Sequence, residues 1–359
     1  MNRQNFGYIS KIHFLLGLVT GIMAAFLTTM IIFQPHFQNT KSSTSKTIDS
    51  LFELRPMAKI SGRLSDFLKY DNTHSTSSQT TTKNHIDDKH MHHDNDTTAK
   101  DLEKRIRVLC WVMTSPQNLE KKAIHVKKTW GKRCNILLSM SSVTNQTFPT
   151  IGLNVSEGRE HLTAKTVRAF KYVYEHYRDK ADWFMKADDD TYVILENLRY
   201  FLKDFNTSDP VYFGQHFTAF VKQGYLSGGA GYVLSKEALI RFATEGNDST
   251  VCKQHGTNED VDMGECMENI GVKVGNSIDA LGRSRFHCFV LEHHLKGNYP
   301  KWYYSFDANG SQKGTDSISD YAISFHYISP EQMHVLDFFI YHLRPYGIYS
   351  GEQQLNEHK

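Results

Sequence analysis

Three consecutive carboxylates, Asp188, Asp189 and Asp190, close an apolar run that begins at Trp183. Trp183-Phe184-Met185-Lys186-Ala187 has the composition of a buried strand, so the carboxylates mark a strand end. Adjacent like charges repel, and burying them requires a partner. A divalent cation such as Mg²⁺ or Mn²⁺ is the natural counter-charge, because hard cations take carboxylate oxygens. Held by one or two carboxylates, such a cation keeps positions free for a diphosphate. An isolated acidic triplet is otherwise an ordinary solvated turn. The strand before this one, and three segments after it, set it apart.

The first of these is Tyr225-Leu226-Ser227-Gly228-Gly229-Ala230-Gly231-Tyr232-Val233-Leu234-Ser235. Its small residues let the backbone approach a bulky ligand, and its tyrosines could stack on a ring. Taken alone it reads as a glycine-rich bulge within a strand, and it lacks the GxGxxG spacing of a dinucleotide site. Glu259-Asp260-Val261-Asp262 follows, with carboxylates that suit the first turn of a helix or, alternatively, the removal of a proton from an attacking hydroxyl. Ser324-Phe325-His326-Tyr327 places one His between aromatics, where it is either a satisfied core residue or the third ligand of a cation.

The elements that must carry these groups are read from the periodicity. Ile106 to Met113 is predicted as a buried strand, Pro116 to Trp130 as a helix, and Asn135 to Met140 as a second strand. Thr163 to Tyr177 is an amphipathic helix with Val167, Phe170, Val173, Tyr174 and Tyr177 on one face. After the Trp183 strand a helix is expected from about Ile194 to Phe205. This alternation predicts an α/β domain with a mainly parallel sheet covered on both faces, and with ligands beyond the carboxyl ends of the strands. The roughly 240 residues from Arg105 onward suffice for one core.

Ahead of that domain, Ile12 to Phe33 is free of Asp, Glu, Lys and Arg and long enough to cross a bilayer as a helix. Arg3 and Lys11 precede it, which orients residues 1–11 to the cytosol. A cleaved signal would have a shorter apolar region ending in small residues, whereas this one ends Met-Ile-Ile-Phe-Gln-Pro. Residues 12–33 are therefore read as a signal anchor. Residues 34–104 form a polar stem whose composition predicts flexibility, with Leu51–Leu54 and Phe67–Leu68 as candidate short helices or homodimer contacts. The domain runs over residues 105–350, followed by a tail at 351–359. The His85, His90, His92 and His93 cluster belongs to the stem and reads as solvated linker. With 40% hydrophobic residues, 22% charged and a net charge of +2, the chain gives no sign of nucleic-acid binding.

Five cysteines lie beyond the anchor, none with zinc-ligand spacing. Their grouping suggests Cys110–Cys134 and Cys252–Cys266 bridges with Cys288 left over. Sequons at Asn95, Asn145, Asn154, Asn206, Asn247 and Asn309 suit the secretory pathway.

Together the segments resemble one family. Val-Leu-Cys-Trp-Val-Met-Thr at 108–114, Lys-Thr-Trp at 128–130, Ala-Asp-Asp-Asp-Thr-Tyr-Val at 187–193, Ser-Gly-Gly-Ala-Gly-Tyr-Val-Leu-Ser at 227–235, Glu-Asp-Val at 259–261 and Tyr-His-Leu-Arg-Pro-Tyr-Gly at 341–347 are similar, in order and spacing, to the core 1 β1,3-galactosyltransferases (T-synthases). These are relatives of the fringe enzymes. The resemblance implies a GT-A-type, Rossmann-like glycosyltransferase domain behind the transmembrane helix and stem of a type II Golgi membrane protein. It implies an enzyme using UDP-galactose and Mn²⁺ to place galactose in β1,3 linkage on GalNAc of a glycoprotein. By the same resemblance Asp188, Asp190 and His326 hold the cation, and Asp260 is the catalytic base. Asp188, Asp189, Asp190, Thr114 and Gly229 contact the donor, and Tyr225, Trp302 and Glu259 contact the acceptor.

The chain departs from that pattern at Thr315 to Asp320, which lacks the family's adjacent Cys-Cys pair, in a shorter loop from Tyr299 to Gly314, and at Cys288. Two other readings stand beside the first: a β1,3-transferase with another donor or acceptor, and a non-catalytic folding partner of an active transferase. Loss of the acidic motif would mark the latter, and the motif is intact. Replacing residues 1–33 with a cleavable signal is expected to yield a folded, secreted protein. Size-exclusion chromatography of the medium checks this; recovery only as aggregate would make the anchor part of the fold.

Overall fold

The computed structural model describes residues 95–346. The anchor, most of the stem and Gly347 of the tail motif lie outside the described residues. Among the described residues no helix is long and apolar enough to cross a membrane.

The chain enters through helix α1 (Thr97–Arg105) into strand β1 (Val108–Met113), every residue of which is buried. The segment expected as one helix from Pro116 to Trp130 is instead broken. A 3₁₀ turn (Pro116–Asn118), a π turn (Leu119–Ala123), helix α2 (Ile124–Lys128) and a second 3₁₀ turn (Trp130–Arg133) follow one another. Strands β2 (Ile136–Ser141) and β3 (Ile151–Gly152) lead to the long helix α3 (Leu162–Tyr177), which buries Val167, Phe170 and Val173 as its periodicity predicts. Then come β4 (Trp183–Asp188), β5 (Tyr192–Val193) and α4 (Leu195–Leu202).

The second half opens with strands β6 (Val211–Gly214), β7 (His216–Phe217), β8 (Tyr225–Leu226) and β9 (Tyr232–Ser235), then α5 (Lys236–Thr244) and α6 (Glu259–Asn269). It continues through β10 (Lys273–Val274), β11 (Phe286–His287), α7 (Leu291–Lys296), α8 (Lys301–Phe306), β12 (Ser324–Phe325) and α9 (Pro330–Tyr341).

The main sheet has the order β10-β6-β9-β4-β1-β2-β3. β1 pairs in parallel with both β2 and β4, and Met113 stands opposite Asp188, so two adjacent strands end together at the acidic triplet. The expectation of a mainly parallel sheet needs one correction. β9 runs antiparallel to β4 and to β6, because the glycine-rich segment is a loop that returns the chain across the strand end rather than a bulge within a strand. Alternate residues face opposite layers. Val108, Cys110 and Val112 pack with Leu195, Leu198 and Leu202 of α4, while Leu109, Trp111 and Met113 pack with α3, α5 and α6. Both faces are thus covered, which explains the unbroken apolar run of β1 and the largely apolar β4.

A smaller sheet, β11-β12-β5, seats β12 beside the turn that follows Asp190. Helix α9 closes this side with a capping box at Ser329 and Gln332. Asp337 of α9 accepts from Arg133 Nη1 at 2.6 Å, and the Arg133 guanidinium lies 3.4 Å from the centre of the Tyr341 ring. That contact ties the tail motif to the start of the domain.

Cys252 and Cys266 are disulfide-bonded, as their spacing suggests. The Cys110–Cys134 bridge is not formed: both are free thiols, with sulfurs 2.7 Å apart where β1 and the approach to β2 run side by side. Cys288 is a buried free thiol. Peptide mapping under non-reducing conditions is expected to return Cys252 linked to Cys266 and Cys288 alkylated only after unfolding. A linkage from Cys288 to any other cysteine would contradict this arrangement.

Candidate active site

The carboxyl end of β4 delivers Asp188, and the tight turn behind it delivers Asp189 and Asp190. The three have different surroundings. Asp189 is buried and its Oδ2 accepts from Thr114 Oγ1 at 2.8 Å and Asn118 Nδ2 at 2.9 Å. Burial pushes its pKa up, and these donors only partly offset that. Asp189 therefore braces the turn from inside. Thr114 is engaged in the same way, so both are supports of the donor-side residues.

Asp188 and Asp190 face outward together with His326, and one ligand atom from each lies within 4.8 Å of the others. His326 Nε2 is 3.2 Å from Asp190 Oδ1. Burial opposes ionisation of Asp190, but His326 and Lys122 outweigh it and hold the carboxyl well below its usual range. Two carboxylates and an imidazole form a donor set that fits Mn²⁺ or a similar divalent cation. His326 is fixed from several directions. Its backbone N–H donates to His287 O at 3.1 Å, and its ring stacks on Tyr327 with centroids 3.9 Å apart. The Ile328 N–H reaches Asp190 O at 2.9 Å. Gly229 lies flat against the imidazole, where any Cβ would collide with the ring. Gly229 thus makes room for the His.

Lys186, two residues before Asp188 on the same side of β4, is 2% exposed. Its Nζ donates to Asp188 Oδ1 at 2.6 Å and Gly228 O at 2.9 Å, and lies 3.8 Å from Glu259 Oε2. Burial lowers its pKa, but Asp188 and Glu259 more than reverse this and push it up to about 12. Glu259 also accepts from Thr166 Oγ1 at 3.0 Å and Tyr232 OH at 2.6 Å. This corrects the expected acceptor role of Glu259. The first turn of α6 points that carboxylate into the protein, where it is consumed by the buried lysine and two hydroxyls.

Its neighbour Asp260 is more exposed. It is only partly buried, and it accepts the Val261 N–H at 3.0 Å within its own turn. Burial raises its pKa, with Lys186 and backbone N–H groups partly offsetting the rise. A part-exposed carboxylate with a raised pKa has the properties of a general base. Tyr225 is buried close enough to Asp260 for that charge to raise its own pKa, after desolvation by burial. Trp302 is 41% exposed on the same side.

The family profile described as Fringe-like matches residues 104–288, more than half of the chain. The chain belongs to the Fringe-like family. It is 51% identical over 262 residues to glycoprotein-N-acetylgalactosamine 3-beta-galactosyltransferase 1 of Xenopus laevis, covering 72% of each chain. A beta-1,3-glucosyltransferase of Mus musculus is 29% identical over 155 residues, 42% of this chain and 31% of that protein. A solved glycosyltransferase involved in glycosylating the major capsid of PBCV-1 aligns with 65% of this chain and 99% of its own, at a TM-score of 0.34 and 13% identity.

Within this Fringe-like site the sequence motifs left several residues unread. Lys186 was hidden in an apolar run. Its signal was a lone cation at the i−2 position of a carboxylate, on the same face of the strand. Lys122, 2.9 Å from Asp190 Oδ2, comes from the π turn, a geometry that recurs at functional sites. Thr166 gave no sequence signal, and Tyr232, read from the sequence as able to stack on a ring, is instead buried with its hydroxyl on Glu259, because the packing of α3 and β9 under α6 brings both there. Replacing Lys186 with Met is expected to leave the buried Glu259 and the part-exposed Asp188 without their cation, lowering stability by about 3 kcal/mol or more. Urea unfolding checks this, and an unchanged midpoint would remove Lys186 from its role.

Proposed function

We propose that this protein is an inverting glycosyltransferase that moves galactose from UDP-galactose, in β1,3 linkage, onto GalNAc attached to Ser or Thr of glycoproteins. The observation that carries the reading is the convergence of Asp188, Asp190 and His326 beside a turn that presents Asp260. The Xenopus relative, half identical over most of both chains, bears the name of that activity. In this reading the domain has the GT-A arrangement, with the nucleotide beyond the carboxyl ends of β1 and β4.

Asp188, Asp190 and His326 would hold Mn²⁺. The cation, when bound, supplies Lewis-acid neutralisation of charge on the departing diphosphate. Lys122 adds a positive charge at the same edge, and Gly229 leaves room for His326. Asp260 takes the proton from the acceptor hydroxyl as that oxygen bonds to the anomeric carbon. The bond to UDP breaks in the same displacement, so the configuration inverts. Asp260 must be ionised for this, and its raised pKa makes it a stronger base than an exposed aspartate. We place the protein in the Golgi membrane through residues 12–33, a reading supported by the apolar span, the sequons and the Cys252–Cys266 disulfide. The folding-partner reading finds no support in a site that keeps its cation ligands and its base together.

The test separates cation from base in the purified full-length protein. Asp190→Ala should lose UDP-galactose binding by calorimetry with Mn²⁺ present. Asp260→Asn should keep binding nearly intact, while transfer to a GalNAc-peptide falls by about 10²-fold or more, the scale of general-base catalysis. The wild-type kcat/KM should decline as pH drops through the raised pKa of Asp260, an acid limb above the ordinary aspartate range that is absent from Asp260→Asn. Near wild-type transfer by that variant would dismiss Asp260 as the base. A wild type that binds no UDP-sugar would dismiss the catalytic reading.

A further inference from the structure

Phe220 has two properties that folding does not account for. It is 75% exposed, and its backbone sits at φ +64°, a left-handed conformation costly for a bulky side chain. The Val221 N–H closes onto Ala219 O at 2.7 Å, so Phe220 is the central residue of a γ-turn of the rarer, strained hand. The surrounding loop is held firmly enough to impose this. Thr218 N–H donates to Phe306 O at 2.8 Å, Gly224 N–H to Val221 O at 2.9 Å, and Gln223 N–H to Glu268 at 2.6 Å. Strain maintained by such bracing, for a side chain held in solvent, points to a ligand.

The ring's neighbours say where that ligand comes from. Phe220 packs 6.2 Å from Tyr225, the tyrosine beside Asp260, and edge-on to Phe306 at 5.2 Å. From there ring contacts continue through Trp302 (5.7 Å), Phe289 (5.9 Å) and Tyr327 (6.3 Å) to His326. One aromatic arc therefore runs from the base to the candidate cation ligand, with Phe220 outermost on the base side. Tyr327 also has a left-handed backbone, φ +59°, and is 58% exposed. The acceptor sugar must lie against Asp260, so whatever extends from that sugar on this side passes over Phe220.

We propose that Phe220 is a specificity-determining surface for the polypeptide that carries the acceptor sugar, engaging an apolar or proline residue beside the glycosylated Ser or Thr. This rests on the function proposed above. An extended apolar segment suits the surface because an exposed aromatic face rewards apolar contact without demanding a partner for a polar group.

The experiment compares kcat/KM for three acceptors with the full-length protein: methyl α-GalNAc, a GalNAc-peptide with Pro and Val beside the sugar, and the same peptide with Gly and Ser there. Wild type should favour the apolar-flanked peptide. In Phe220→Ala that preference over the methyl glycoside should fall about tenfold, the scale of losing part of an aromatic contact. Phe220→Gly, which accepts the left-handed turn without strain, should show the same loss with no drop in melting temperature. Phe220→Tyr should keep the preference. An unchanged preference in Phe220→Ala, or an equal loss for all three acceptors, overturns the proposal while leaving the function standing. Wild type that transfers to none of the three overturns both.

Discussion

A fully buried lysine is the constraint around which the site is arranged. Lys186 is charged in a place where charge is costly, and that cost is tolerable only while Asp188 and Glu259 remain beside it. Each of those carboxylates belongs to a different working part. Asp188 is a candidate cation ligand on β4, and Glu259 sits next to Asp260, the candidate base, on α6. The lysine therefore joins the sheet to the helix by charge, and Gly228 between them leaves no room for slack, since a side chain there would strike Glu259. A site joined in this way is preorganised before any ligand arrives.

Charge and aromatic surface are kept on separate sides. The carboxylates, Lys122 and Lys186 gather at the ends of β1 and β4, where phosphate chemistry belongs. The rings of Phe220, Phe306, Trp302 and Phe289 gather on α8 and the loops opposite, where they suit the apolar face of a sugar or a peptide. Asp260 and His326 stand at the two borders. Loops on the aromatic side can change without disturbing the ion pairs, as surface loops carried on a rigid scaffold generally can.

The sequence made the catalytic half more legible than the supporting half. Asp188 and Asp190 were readable as carboxylates closing an apolar strand, whereas Asp260 and His326 took their roles from the family resemblance, because an acidic first turn and a His among aromatics are ordinary by themselves. The amphipathic α3 and the buried β1 and β4 followed from periodicity. What escaped were residues whose meaning depends on distant packing. Thr114 looked like a donor contact until Asp189 turned out to occupy its hydroxyl, and Glu259 looked available until Thr166 and Tyr232 met it from two other elements. The π turn escaped because Leu119 to Ala123 has ordinary helical composition, and its distortion comes from docking. The reversal of β9 escaped because glycine-rich loops and bulges share a composition.

The candidate ligand set spans more than half of the domain in chain order, and this has a consequence for synthesis. Asp188 and Asp190 leave the ribosome long before His326, and α9, which clamps Arg133, follows later still. At a translation rate of about 5–20 residues per second, the acidic turn waits several seconds for its imidazole. During that interval Lys186 and Lys122 are the charges available to quieten the carboxylates. The ion pairs of the finished protein thus draw on lysines that are already made when the acidic strand end is, well before the last strand exists.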